Sequence, residues 1–82
     1  MNKLNAMAMG LAFGILWAVG VLVIALLAMF TGYGAELIGS LGTVYLGLEA
    51  TLIGALIGAL WGFVDAFIGG YLFAWLYNKL NS

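Results

Sequence analysis

The stretch Gly54-Ala55-Leu56-Ile57-Gly58-Ala59-Leu60-Trp61-Gly62-Phe63-Val64-Asp65-Ala66-Phe67-Ile68-Gly69-Gly70 is an apolar run with one acid near its middle. At a helical step of about 100° per residue, Gly54, Gly58, Gly62, Asp65 and Gly69 fall within an arc of roughly 80°. The acid therefore belongs to the glycine stripe. Small residues let another backbone approach closely, and an ionisable group in hydrocarbon is costly enough to be turned toward protein or water. The sequence predicts Asp65 facing a neighbouring helix and not lipid.

Working outward, only Lys3, Glu36, Glu49, Asp65 and Lys79 are charged among 82 residues, too few to cover a soluble core with polar surface. The composition points to an integral membrane protein whose first partner is the lipid bilayer. Thirteen glycines and no proline suit uninterrupted helices that pack closely. With no Cys and no His, disulfides, thiolate chemistry, histidine bases and zinc sites are excluded, and no metal or other cofactor is expected. The two lysines read as isolated, which gives no basic patch for nucleic acid or for anionic lipid.

Residues 4–30 carry no charge and, at 1.5 Å per residue, reach about 40 Å, beyond the roughly 30 Å of a hydrocarbon core. A signal peptide also begins with a Lys and an apolar run, but its apolar region is about 7 to 15 residues long. The segment is read as a retained first transmembrane helix. Residues 50–76 form the second, and 31–49 connect them outside the membrane. In the connection, Leu37, Leu41, Val44, Tyr45 and Leu48 recur at helical spacing, which fits a short amphipathic helix lying in the interface. Gly39, Gly42 and Gly47 each weaken it, so an irregular loop is the alternative. The fold class is all-α: a two-helix transmembrane hairpin in a single membrane domain.

Lys3 and Lys79 flank the hairpin while the connection has no Lys or Arg, so the positive-inside rule predicts both termini in the cytoplasm and the hairpin in the cell (inner) membrane. Tyr71, Phe73, Trp75 and Tyr77 then group at the inner interface, with Phe30, Tyr33 and Tyr45 near the outer one. The two helices echo each other: Gly10-Leu11-Ala12-Phe13-Gly14-Ile15-Leu16-Trp17 and Gly54-Ala55-Leu56-Ile57-Gly58-Ala59-Leu60-Trp61 both read G-x-x-x-G-x-L-W. In a hairpin the copies run in opposite directions, as in an inverted repeat; chance in a chain rich in Gly and Leu is the alternative. Gly10 and Gly14, with Ala6, Ala18, Ala25 and Ala28, give the first helix a small-residue side of its own, and two such sides predict close helix contact and self-association.

Matching Lys3 against Lys79 in depth puts Trp17 opposite Asp65. An indole N–H needs an acceptor when buried and a carboxyl needs a donor, so Trp17 is paired with Asp65 in this reading, and Trp61, one turn before the acid, is the second possibility. Packing of bulky rings beside glycines explains both tryptophans equally well. No Lys or Arg lies in either span, so Asp65 is read either as a hydrogen-bonding group that fixes helix register or as one that exchanges a proton. No second acid neighbours it, which excludes an acid/base pair and predicts a protein that is not an enzyme.

The run from Leu60 to Asn78, together with Gly14-Ile15-Leu16-Trp17 and Gly20-Val21, resembles a family of small bacterial two-span proteins of unknown function often labelled bacteriophage holin. That resemblance implies a self-associating protein that forms pores or scaffolds a membrane. Lysis holins usually end in a charged tail, where this chain has only Lys79. A second likeness is to the rotor ring subunit of ATP synthase, also a hairpin with an acid in its second helix. Its Arg-Gln-Pro type loop and denser glycine repeat are missing here. Translocation of a proton or ion through Asp65, and an accessory place beside a larger membrane complex, are the alternatives to a holin-like homo-oligomer.

Overall fold

The computed structural model describes residues 3–81, and among these every regular element is helical: α1 (Ala6–Thr31), α2 (Ala35–Leu41) and α3 (Leu52–Asn81). The Asn5 side chain starts α1 by accepting from the Ala8 N–H at 3.1 Å. Gly32, at φ 78°, stops it with its N–H on the Ala28 carbonyl, a left-handed cap that suits a residue without Cβ. Nothing comparable interrupts α3, which continues five residues past the expected end at Leu76. Lys79 lies in its last turn, where a cation is favoured by the helix dipole.

α1 and α3 form an antiparallel hairpin in the expected register. Asn78 meets Leu4, a Cβ on Gly70 would touch Met9 and Phe13, one on Gly14 would touch Phe63, and one on Gly62 would touch Trp17 and Val21. Each helix is long and apolar enough to cross a membrane, and only 22% of its most apolar window is buried within the chain. Core helices of soluble proteins are mostly buried. Here Leu16, Ile53 and Leu60 stand about 70% exposed, an outer surface suited to lipid.

The connection corrects the expected layout. A helix does form at Ala35–Leu41, but it does not lie flat across the end of the hairpin. Gly34 takes a second left-handed conformation, at φ 77°, and turns the chain back so closely that a Cβ there would stand 3.0 Å from Ile24. α2 then descends beside α1, with Leu37 and Leu41 lining a shared cavity with Trp17, Gly20 and Ile24. The buried side is Ile38, Tyr45 and Leu48, while the expected Leu37 and Val44 are exposed. After Tyr45 the chain reverses at Gly47, φ 93°, whose absent side chain makes room for Ile57, and climbs to the start of α3. The longest dimension of the molecule is 47 Å, barely more than the roughly 45 Å of a 30-residue helix. The connector is therefore re-entrant and adds almost no height.

This gives the hairpin two unlike halves. In the loop half, the connector fills the side of the helix pair and the core is Val21, Ala25, Ala28, Ile38, Tyr45, Leu48 and Ala55. In the other half two helices meet alone, and Phe67 and Phe63 sit on Gly10 and Gly14 as ridges in grooves. Asp65 lies at the boundary.

Candidate functional site

The site is the floor of the re-entrant connector. The Tyr45 hydroxyl donates to Asp65 Oδ2 at 2.6 Å and accepts from Trp17 Nε1 at 2.9 Å. One residue on, the Leu46 carbonyl accepts from Trp61 Nε1 at 2.8 Å. A backbone reversal packed among apolar helices is tolerated only where its polar groups find partners, and the two indoles serve that need. The G-x-x-x-G-x-L-W copies thus place their tryptophans at the same turn, one from each helix. Their glycines differ in use: Gly10 and Gly14 receive phenylalanines of α3, whereas Gly54 and Gly58 receive Glu49 and Leu48 of the connector.

The expected pairing of Trp17 with Asp65 is corrected, because Tyr45 stands between them and joins all three. Trp61 does not reach the acid either; its N–H goes to the backbone of the connector. Tyr45, expected near the outer interface, is 5% exposed. It belongs to the connector and not to either long helix.

Asp65 itself departs from expectation. It is exposed on the side of α3, below the connector tip, and not enclosed between the helices. The glycines explain why. Gly62 and Gly70 face α1 and Gly54 and Gly58 face the connector, so the stripe is divided between two neighbours, and Asp65 sits where the second one ends. Gly69, one turn further, has open space where a Cβ would be. Beside it runs a cavity of about 390 Å³ lined by Phe13, Trp17, Ala66, Gly69, Gly70 and Phe73. Chemically, the carboxyl has one donor within the described chain and an oxygen left to accept another from outside it.

Among proteins already characterised, no family model, curated protein or solved structure matches this chain.

Proposed function

We propose that the chain is a small integral membrane protein that works as a homo-oligomer, pore-forming or membrane-scaffolding in the holin-like sense, with copies meeting on the side that carries Asp65. The observation that supports this reading is the lateral exposure of Asp65. An acid at mid-span costs roughly 2.5 to 3.5 kcal/mol in lipid, so an adjoining copy or a water-filled lumen is needed to cover it. Gly69 and the cavity next to it give a second helix room to approach. Gly10, Gly14, Gly54, Gly58 and Gly62 are occupied within the chain, so they are unsuited to the contact between copies. Lys3 and Lys79 favour both termini in the cytoplasm of a cell whose inner membrane holds the protein.

Because the chain has no cysteine, single cysteines report contacts cleanly. A cysteine at position 69 is expected to form disulfide-linked dimers in native membranes, and one at position 58 is not. A protein that stays monomeric in membranes, or links at 58 and not at 69, overturns the reading.

A second reading is favoured by the hydrogen-bonded chain from Trp17 through Tyr45 to Asp65: a subunit that passes a proton or ion at Asp65, alone or as an accessory to a larger membrane complex. Proteoliposomes with a pH gradient test it directly, and flux that survives Asp65→Asn counts against it. Purification with one large partner in place of a homo-oligomer favours the accessory role.

A further inference from the structure

Lys3 and Lys79 are 76 positions apart in sequence, yet they line one cavity of about 370 Å³ together with Ala6, Trp75 and Asn78. The convergence is built. Asn78 grips the residue after Lys3 from both sides, accepting from the Leu4 N–H at 2.8 Å through Oδ1 and donating to the Leu4 carbonyl at 2.8 Å through Nδ2. That clasp fixes the start of α1 against the end of α3 and holds the two lysines at one level. The Lys79 ammonium lies 5.5 Å from the centre of the Trp75 ring, a cation–π contact that keeps it on the cavity wall. Ala6 contributes the first turn of α1, whose backbone N–H groups point out of the helix end and favour an anion.

The charge of the molecule is polarised in the same sense. Among the described residues its acidic side chains are Glu36 and Glu49 in the connector and Asp65 midway along α3. Asp65 is about 20 Å from Lys79 along α3, more than two screening lengths at physiological salt. Both lysines are exposed, and Trp75, half exposed, is a residue type that settles at the headgroup level of a bilayer. A cavity at that level, walled by two cations, a helix start and an indole, matches a phosphodiester whose acyl chains continue down the apolar helix sides.

We infer that the Lys3/Lys79 cavity is a binding site for the headgroup of an anionic glycerophospholipid, phosphatidylglycerol being the simplest representative. The inference rests on the membrane reading above but not on the role of Asp65. A bound lipid would fasten this end of the hairpin to the anionic leaflet and close the seam between α1 and α3 from outside.

The test uses the full chain in vesicles of equal phosphatidylglycerol and phosphatidylcholine, extracted in mild detergent, with retained lipid counted by native mass spectrometry. Wild type is expected to keep phosphatidylglycerol over phosphatidylcholine by roughly 30-fold, about a fivefold preference from each lysine. The Lys3→Gln/Lys79→Gln variant is expected to keep neither lipid preferentially, while Lys3→Arg/Lys79→Arg keeps the preference. Equal phosphatidylglycerol preference in the Gln variant overturns the inference. So does loss of the lipid to excess inorganic phosphate, which would make this a site for free anions. A Gln variant that loses helical content by circular dichroism is replaced by Lys79→Gln alone, for which a fivefold fall is expected and no fall refutes the site. Failure of the wild type to enter vesicles at all would instead refute the membrane reading.

Discussion

Trp17 on α1 and Trp61 on α3 donate their indole N–H groups to adjacent residues of one turn, the hydroxyl of Tyr45 and the carbonyl of Leu46. Two helices thereby hold the tip of a connector that would otherwise leave polar backbone in an apolar setting. Trp17→Phe and Trp61→Phe keep most of the ring packing and remove one hydrogen bond each, about 0.6 to 1 kcal/mol. The expected result is a looser tip: a cysteine introduced at Val44 should react faster with a thiol reagent in either variant, and fastest in both together. Unchanged reactivity in the double variant would mean the indoles do not secure the connector.

The glycines of α3 divide into those that a side chain cannot replace and one that it can. A Cβ at Gly54 would stand 2.7 Å from the Glu49 backbone nitrogen, which cannot swing away. At Gly58 it would run into Leu48, whose side chain is buried at 4% exposure and held by the core, and at Gly69 it meets nothing. Gly54→Ala is therefore expected to destabilise the monomer by roughly 1 to 3 kcal/mol. Gly58→Ala should cost a comparable amount, while Gly69→Ala should be neutral or stabilising by up to about 1 kcal/mol, the helix-propensity gain over Gly. Denaturation from mild detergent into SDS gives the order, and a Gly54→Ala variant as stable as Gly69→Ala would contradict the packing.

How much of this was readable in advance follows from which forces act locally. The two long helices come from unbroken apolar runs, a local property, and their register from matching Lys3 with Lys79, the charges that flank the two runs. The re-entrant connector does not. Its path depends on left-handed turns at Gly32 and Gly34 and on Ile38, Tyr45 and Leu48 finding a slot that exists only once α1 and α3 have paired. The sign available beforehand was chemical: Asp65, Trp17 and Trp61 each need a polar partner, and neither span supplies one for all three. Tyr45 in the connector can donate and accept at once and serves Asp65 and Trp17, while Trp61 takes the Leu46 carbonyl. The convergence of Lys3 and Lys79 on one cavity was missed for the same reason, since Asn78 joins the helix ends only in the folded hairpin.

Asn78 should matter for that end of the molecule. Asn78→Leu removes both bonds to Leu4, an expected loss of about 1 to 2 kcal/mol that falls on the first turn of α1. Hydrogen exchange at the Leu4 amide should accelerate, with little change for amides near Ala25. Equal protection of Leu4 in the variant and the wild type would show that the clasp does not form in solution.

Three substitutions at the connector floor separate the possible roles of Asp65. Tyr45→Phe keeps the ring in its buried place but leaves the Trp17 N–H without its acceptor and Asp65 without its donor. It is expected to lower monomer stability by about 1 to 2 kcal/mol while leaving the oligomer number unchanged, because the hydroxyl points inward and not toward a second copy. Asp65→Asn keeps size and hydrogen bonding but cannot ionise, so it should assemble normally and retain whatever conductance wild type supports in proteoliposomes. Asp65→Leu removes the polar group and with it the cost of exposing that group to lipid, so the drive to cover this side falls and the oligomer should lose uniformity or dissociate. Translocation through Asp65 makes a different demand: Asp65→Asn must then assemble normally and yet abolish a pH-driven proton flux seen in wild type. An Asp65→Leu oligomer indistinguishable from wild type would take this side of α3 out of the interface, whichever flux result accompanied it.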